Sequence, residues 1–258
     1  MKYNFKVWVI ARFTFLELYK SKILMNVLML SLALLGVSYV ATEFTYGVPS
    51  RVAIDFGLGV TTISSIAIAI FMGSSLLIKE VENRTLYMIL SRPISRKEFL
   101  TGRVLGLLGI LFVNILILMS VTLLLFFYLG GQYSNLLLWN FLFTYIESSI
   151  VLLVVILFSM VTNQAISIIN TITVFICGHA ISKVHDLSFT KNNEFIRFIS
   201  NIGKYTLPDL SKLNIKNFLL YEKSLPDNYL SYGLLYGIFY CLMLLVVSMF
   251  IFDKKSFD

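Results

Sequence analysis

The chain has 258 residues, of which 58% are hydrophobic and only 14% charged, and its mean hydropathy is +0.84. A soluble domain carries about a quarter of its residues as charged side chains, so this composition excludes an ordinary water-soluble protein and implies an all-α, polytopic membrane protein. The net charge of +7 is gathered at the edges of apolar runs rather than spread over one face, which argues against a nucleic-acid partner.

In chain order, residues 1–22 mix Lys2, Lys6, Arg12, Lys20 and Lys22 with Trp8, Phe13, Phe15 and Tyr19. The segment is helical in pattern but a poor amphipath, which suits an N-terminal helix lying in the headgroup layer and touching membrane lipid. A frayed basic leader is the alternative. Residues 23–258 then form one transmembrane domain. Its uncharged runs are Ile23 to Thr42, Phe56 to Ile78, Val104 to Ile146, Ser148 to Ser182 and Asn228 to Phe252. About 20 apolar residues cross a bilayer, and turns at Gly130 to Asn135 and at Thr162 to Gln164 divide the long middle region into three spans. Six transmembrane helices are predicted. No signal-peptide cleavage is expected, because the first run is span-length and lacks a small-residue processing site.

Glu43 to Asp55, holding Pro49 and Arg51, reads as a short outer loop. The second span carries Thr61, Thr62, Ser64 and Ser65, whose hydroxyls either line a polar path or bond the preceding turn of backbone. The most polar stretch is Lys79 to Arg103, with six Lys/Arg and three Glu. It projects into water, since charge and uncapped backbone are costly in hydrocarbon. Helical spacing runs from Glu80 to Leu90, Pro93 breaks it, and Ser95-Arg96-Lys97-Glu98 is a capping box that starts the next helix at Arg96.

Basic residues before the first span, in 79–103 and after the last span place these three segments in the cytoplasm, with both termini on that side. The segment 183–227, with seven basic and five acidic residues, falls on the outer face against the same rule. Within it, Phe195, Phe198, Ile199 and Ile202 share a helical face, and Leu213, Ile215, Phe218 and Leu219 belong to a second short element between Pro208 and Pro226. Both are expected to dip back onto the outer membrane surface.

Gly102-x-x-x-Gly106 in the third span permits close helix approach. Glu147 lies in the fourth span, roughly 13 Å from its outer end at Leu138. Three roles stay open for it: a carboxyl bonded to a neighbouring hydroxyl such as Ser148, a part of a substrate or gating path, or an ion-coupling site. His179, near the outer end of the fifth span, could reach toward Glu147, although a lone histidine close to the interface is more often satisfied by water or backbone. Cys177 and Cys241 read as buried apolar filler. There is no G-x-x-x-x-G-K-[ST], H-E-x-x-H or G-x-S-x-G, so neither P-loop ATP binding nor hydrolase chemistry has a motif here and no enzyme is expected.

The order Lys79-Glu80-Val81-Glu82-Asn83-Arg84-Thr85-Leu86, Leu90-Ser91-Arg92-Pro93-Ile94-Ser95-Arg96 and Leu100-Thr101-Gly102-Arg103 resembles the signature of ABC-type exporter permeases of the six-helix "ABC type 2" class. Arg51 to Gly57 and Leu207-Pro208-Asp209-Leu210 fit the same family more weakly. The resemblance implies a membrane subunit that dimerises, docks separate ATPase subunits on the cytoplasmic side, and exports a substrate across the cytoplasmic membrane. It assigns Glu80, Glu82, Arg84, Thr85 and Leu86 to the coupling element and Pro93 and Arg96 to the bend that follows. ATP would be bound by the partner ATPase, with no cofactor in this chain. Asn114, Glu147, Ser148, Asn170 and His179 are the polar candidates for a substrate path. The alternatives are an ATPase-coupled scaffold doing mechanical work on an envelope partner, and a secondary carrier that uses Glu147.

Overall fold

The structure is a computed structural model describing residues 3–20, 29–30, 32–34, 36–40, 44, 48–82, 94–186, 203, 206–221 and 225–254; for 3–4, 77–82 and 182–186 it describes the backbone alone. The described residues form helices without strands. These are α1 (Tyr3–Tyr19), α2 (Pro49–Glu82), α3 (Arg96–Tyr128), α4 (Leu136–Val161), α5 (Gln164–Asp186), a 3-10 turn (Leu210–Leu213), α6 (Lys216–Leu220) and α7 (Tyr229–Lys254). Five of them, α2 to α5 and α7, are long and apolar enough to cross a membrane. The expected first span, Ile23 to Thr42, lies largely outside the described residues; its described pieces at 32–34 and 36–40 are helical.

The helix boundaries follow local chemistry. Ser95 caps α3 with φ −74° and ψ 153°; the Glu98 N–H donates to Ser95 Oγ at 3.2 Å and the Ser95 N–H donates to Glu98 Oε2 at 2.7 Å. This is the capping box read from the sequence. At the far end of α3, Gly130 takes φ +82°, which an L side chain rarely adopts, while the Gly131 N–H donates back to the Phe126 carbonyl at 2.9 Å. Between α4 and α5, Asn163 Oδ1 accepts from the Ile166 N–H at 3.2 Å, so the polar turn at Thr162 to Gln164 is also the cap of the helix that follows.

One boundary departs from expectation. Residues 49–55 are not loop, because α2 starts at Pro49. Proline at the first helical position loses no hydrogen bond, and its fixed φ is already helical. The same residue that suggested a loop therefore begins the helix. With 34 and 33 residues, α2 and α3 are each about 50 Å long, against a hydrocarbon core of about 30 Å. Each is longer than a bilayer crossing requires.

α4 is the hub. From Ile150 to Ile156 every residue is buried, and the helix packs against α2, α3, α5 and α7. Gly73 lets α2 approach it so closely that an added methyl would collide with Val155, and Gly237 does the same for α7 at Ile146. The second-span hydroxyls are mostly spent on their own helix: Thr61 donates to Gly57 O at 2.8 Å, Thr62 to Leu58 O at 2.9 Å and Ser65 to Thr61 O at 2.6 Å.

α1 is seated on α3. A methyl group at Gly102 would stand 2.6 Å from Ile10 Cβ and 3.0 Å from the Val7 carbonyl, and one at Gly106 would stand 2.5 Å from Thr14 Cβ and 2.8 Å from the Ala11 carbonyl. Phe15 closes the register over Gly109. The Gly-x-x-x-Gly pattern thus serves contact within the chain. The α3-facing side of α1, with Val7, Ala11 and Thr14, is buried, whereas Trp8 and Phe13 point outward at 68% and 71% exposure. The two sides of α1 differ in size more than in polarity, which is why it reads as a poor amphipath.

Replacing Gly106 with Leu should cost about 1–3 kcal/mol by overpacking, lowering the thermal midpoint of the purified protein by several degrees. Gly36→Ala, at a helical position with no described residue within 4 Å of the added methyl, should not lower it.

Candidate functional site

The polar stretch is framed by its two ends. Glu80 and Glu82 lie on the last turn of α2, where only the backbone is described, and Arg84, Thr85, Leu86 and Pro93 lie outside the described residues. The return limb is visible in full. Arg96 Nη1 donates to the Asp253 carbonyl at 3.2 Å, and Lys97 Nζ lies 3.3 Å from Asp253 Oδ2. Beneath them Phe99 and Phe252, 1% and 0% exposed, stack with ring centroids 6.3 Å apart. On the other side Arg103 Nη1 donates to Glu17 Oε2 at 2.9 Å. Exposed ion pairs contribute little; the buried Phe pair and the glycine seat of α1 carry most of the attachment. The start of α3 is therefore held between α1 and the end of α7. The part played by Phe99, Phe252 and Asp253 was missed in the sequence, where Asp253 merely follows the last apolar run.

Within the bundle, Glu147 on α4 and His179 on α5 face one another, with His179 Nε2 3.3 Å from Glu147 Oε1. Glu147 is 3% exposed and the His179 side chain 28%. Its other ring nitrogen, Nδ1, lies 3.4 Å from the Phe175 carbonyl, and Phe175 packs against the ring with centroids 4.7 Å apart. Glu147 is eleven residues into α4, about 16 Å along it. At that depth a net charge is expensive. One proton shared by the two groups leaves the pair neutral overall whichever group holds it. The approach is at ion-pair distance without an aligned hydrogen bond, so Oε1 keeps an unsatisfied lone pair.

The other polar candidates are placed apart from this pair. Ser148 does not bond Glu147, contrary to one of the roles left open for the carboxyl; its hydroxyl turns back to the Thr144 carbonyl at 2.8 Å. Asn114 is fully buried between α2 and α3, its Nδ2 3.4 Å from Ser65 Oγ. Asn170 is half-buried on α5, nine residues before His179.

The second element of the 183–227 segment is set deeper than a surface helix. Its 3-10 turn, with Leu210 and Leu213 buried, inserts among α4, α5 and α7, whereas α6 packs against α2 and α4 without a buried residue. The region around Phe195, Phe198, Ile199 and Ile202 lies outside the described residues. Gly178 makes room for the insertion, since a methyl there would stand 2.6 Å from the Pro208 carbonyl. Irregular backbone at this depth must find partners, and α7 supplies them as tyrosines. The Asp209 N–H donates to Tyr236 Oη at 2.7 Å, and Tyr240 Oη donates to the Thr206 carbonyl at 3.2 Å. The buried Asp209 carboxylate accepts from Ser211 Oγ at 2.6 Å and lies 3.5 Å from Lys212 Nζ, which sits 5.0 Å above the Tyr236 ring. Leu207-Pro208-Asp209-Leu210 is thus a plug whose N–H groups and Asp209 carboxylate are tied to neighbours.

Over residues 7–257 the chain matches the family model described as ABC-2 family transporter protein. It belongs to the ABC-2 transporter family. No curated protein matches the chain significantly. Membership and the five membrane-length helices together make this an integral membrane protein of a transport system, and the ABC-2 membrane component is a permease. The family match spans the seat of α1, the projecting helices and the plug alike.

Two measurements test the buried sites. Tyr236→Phe removes the acceptor of a buried N–H and should cost about 1–3 kcal/mol, read as a fall in the thermal midpoint that Tyr232→Phe, on the exposed face of α7, does not share. For the Glu147–His179 pair, a double-mutant cycle with Glu147→Gln and His179→Ala should give a coupling of about 1–3 kcal/mol; simple additivity would mean the groups do not interact.

Proposed function

We propose that the chain is the transmembrane permease subunit of an ABC exporter, working as a dimer and driven by separate ATPase subunits that dock on residues 79–103. In this reading the cytoplasmic side is the one bearing that segment and both termini, and α1 lies at the headgroup layer beside it. The observation that carries the proposal is the combination of family membership with the bracing of α3. A segment that is to receive force from a motor needs a stiff return path, and the Ser95 cap, the α1 seat and the α7 contact make the first turns of α3 rigid. Glu80, Glu82, Arg84, Thr85 and Leu86 form the docking element, and Pro93 and Arg96 the bend behind it. The motor binds ATP, and this subunit supplies no catalytic group.

Charge reversal tests the docking element. Glu80→Arg and Arg84→Glu should each reduce co-purification with the ATPase and abolish most of its stimulation by the permease, while the thermal midpoint of the isolated permease stays unchanged. Retention of both complex and stimulation would remove residues 79–103 from the interface.

The close approach of Glu147 and His179 favours a second reading, a secondary carrier coupled to an ion gradient. That carrier would work without an ATPase and lose transport in Glu147→Gln. ATP-dependent transport that survives this substitution would eliminate it. Mechanical work on an envelope partner is the remaining variant of the ATPase-driven reading, with 183–227 as its contact.

A further inference from the structure

A cavity of about 520 Å³ opens where α2 begins, beside the α3–α4 turn and against α6. It lies apart from both the polar projection and the buried Glu147–His179 pair. Its mouth and floor differ in chemistry. The mouth carries Arg51 and Ser134, and the floor is Ile54, Phe126, Leu137 and Leu219. Ile54, Phe126 and Leu137 are 3%, 9% and 2% exposed and belong to a small apolar cluster of their own. Arg51 is the charged side chain among the described lining residues. The nearby acid, Asp55, is paired with Lys216 at 2.6 Å.

We infer that this cavity is a binding site for one membrane phospholipid, with its phosphate at Arg51 and an acyl chain on the floor. The position fits, because the α3–α4 turn and the start of α2 stand where apolar helix gives way to polar backbone, the level of headgroups. The chemistry fits too. A guanidinium presents a fork of donors matched to phosphate oxygens, and the volume falls within the range of about 300–1,000 Å³ typical of small-molecule sites. A free anion would use the mouth and leave the floor empty, so the apolar floor is what selects a lipid over inorganic phosphate. The bound lipid would join α2, α3, α4 and α6 at one membrane face. The inference requires membrane insertion but does not depend on ATPase coupling.

Native mass spectrometry of the full chain in detergent, titrated with phosphatidylglycerol, with diacylglycerol of the same chains and with inorganic phosphate, tests the site. One phosphatidylglycerol per chain is expected, held about tenfold more tightly than diacylglycerol, the factor that loss of a charge-assisted hydrogen bond implies. Arg51→Gln should bring phosphatidylglycerol down to the diacylglycerol level, Arg51→Lys should recover part of the difference, and Leu219→Trp, which fills the floor, should weaken both lipids. Equal retention of phosphatidylglycerol by wild type, Arg51→Gln and Leu219→Trp overturns the assignment. So does equal binding of phosphatidylglycerol and diacylglycerol by the wild type, or displacement by inorganic phosphate with no effect of Leu219→Trp, which marks an anion site alone. Should Arg51→Gln fail to fold, the lipid series on the wild type and Leu219→Trp still decides.

Discussion

The constraint on which the rest of the structure depends is that hydrocarbon offers no hydrogen bonds. A polar atom at membrane depth is costly unless it finds a partner inside the protein, and apart from a few such as Glu147 Oε1 and Asn114 Oδ1 the described residues show three ways of doing so. Hydroxyls bond to the carbonyl one turn back, as Thr61, Thr62, Ser65, Ser148 and Thr171 do. Ionisable groups come in neutralising sets, Glu147 with His179 and Asp209 with Lys212. Backbone that leaves the helical pattern, between Thr206 and Asp209, is met by tyrosine hydroxyls on α7.

Close helix approach is the second organising device, and glycine provides it at each major contact. Gly73 brings α2 to α4, Gly237 brings α7 to α4, and Gly102 and Gly106 bring α1 to α3. In lipid there is little hydrophobic gain in pressing one apolar helix against another, so fit must supply the attraction. The outward faces of α5 and α7, rich in Ile169, Ile176, Leu235, Phe239 and Val246, have no such seats among the described residues and are exposed there.

Much of the local structure was legible in the sequence because its causes are local. The Ser95–Glu98 box, the turn at Gly130 and the break at Asn163 are each set by a few adjacent residues, and each stands where the sequence put it. Pro49 was misread because a proline signals a loop and a first helical residue equally well. The meeting of Glu147 and His179 depends on how α4 and α5 rotate about their axes, which no single-helix pattern reveals. The same holds for the seat of α1: Gly-x-x-x-Gly announces a close neighbour but not which one. The insertion of Pro208 to Ile215 depends on Gly178, Tyr236 and Tyr240, residues far away in the chain that become informative only together.

The all-round burial of α4 between Ile150 and Ile156 has a mechanical consequence. A close-packed interior cannot be rearranged in small steps without opening voids or forcing overlaps, so the middle of α4 acts as a stator. Displacement is left to helices that touch it on one side only, chiefly α5 and α7. The plug at Pro208 to Leu210 hangs between these two helices, bonded to α7 through Tyr236 and resting on α5 at Gly178. Any shear of α5 past α7 would therefore work directly on the plug, with α4 as its fixed bearing.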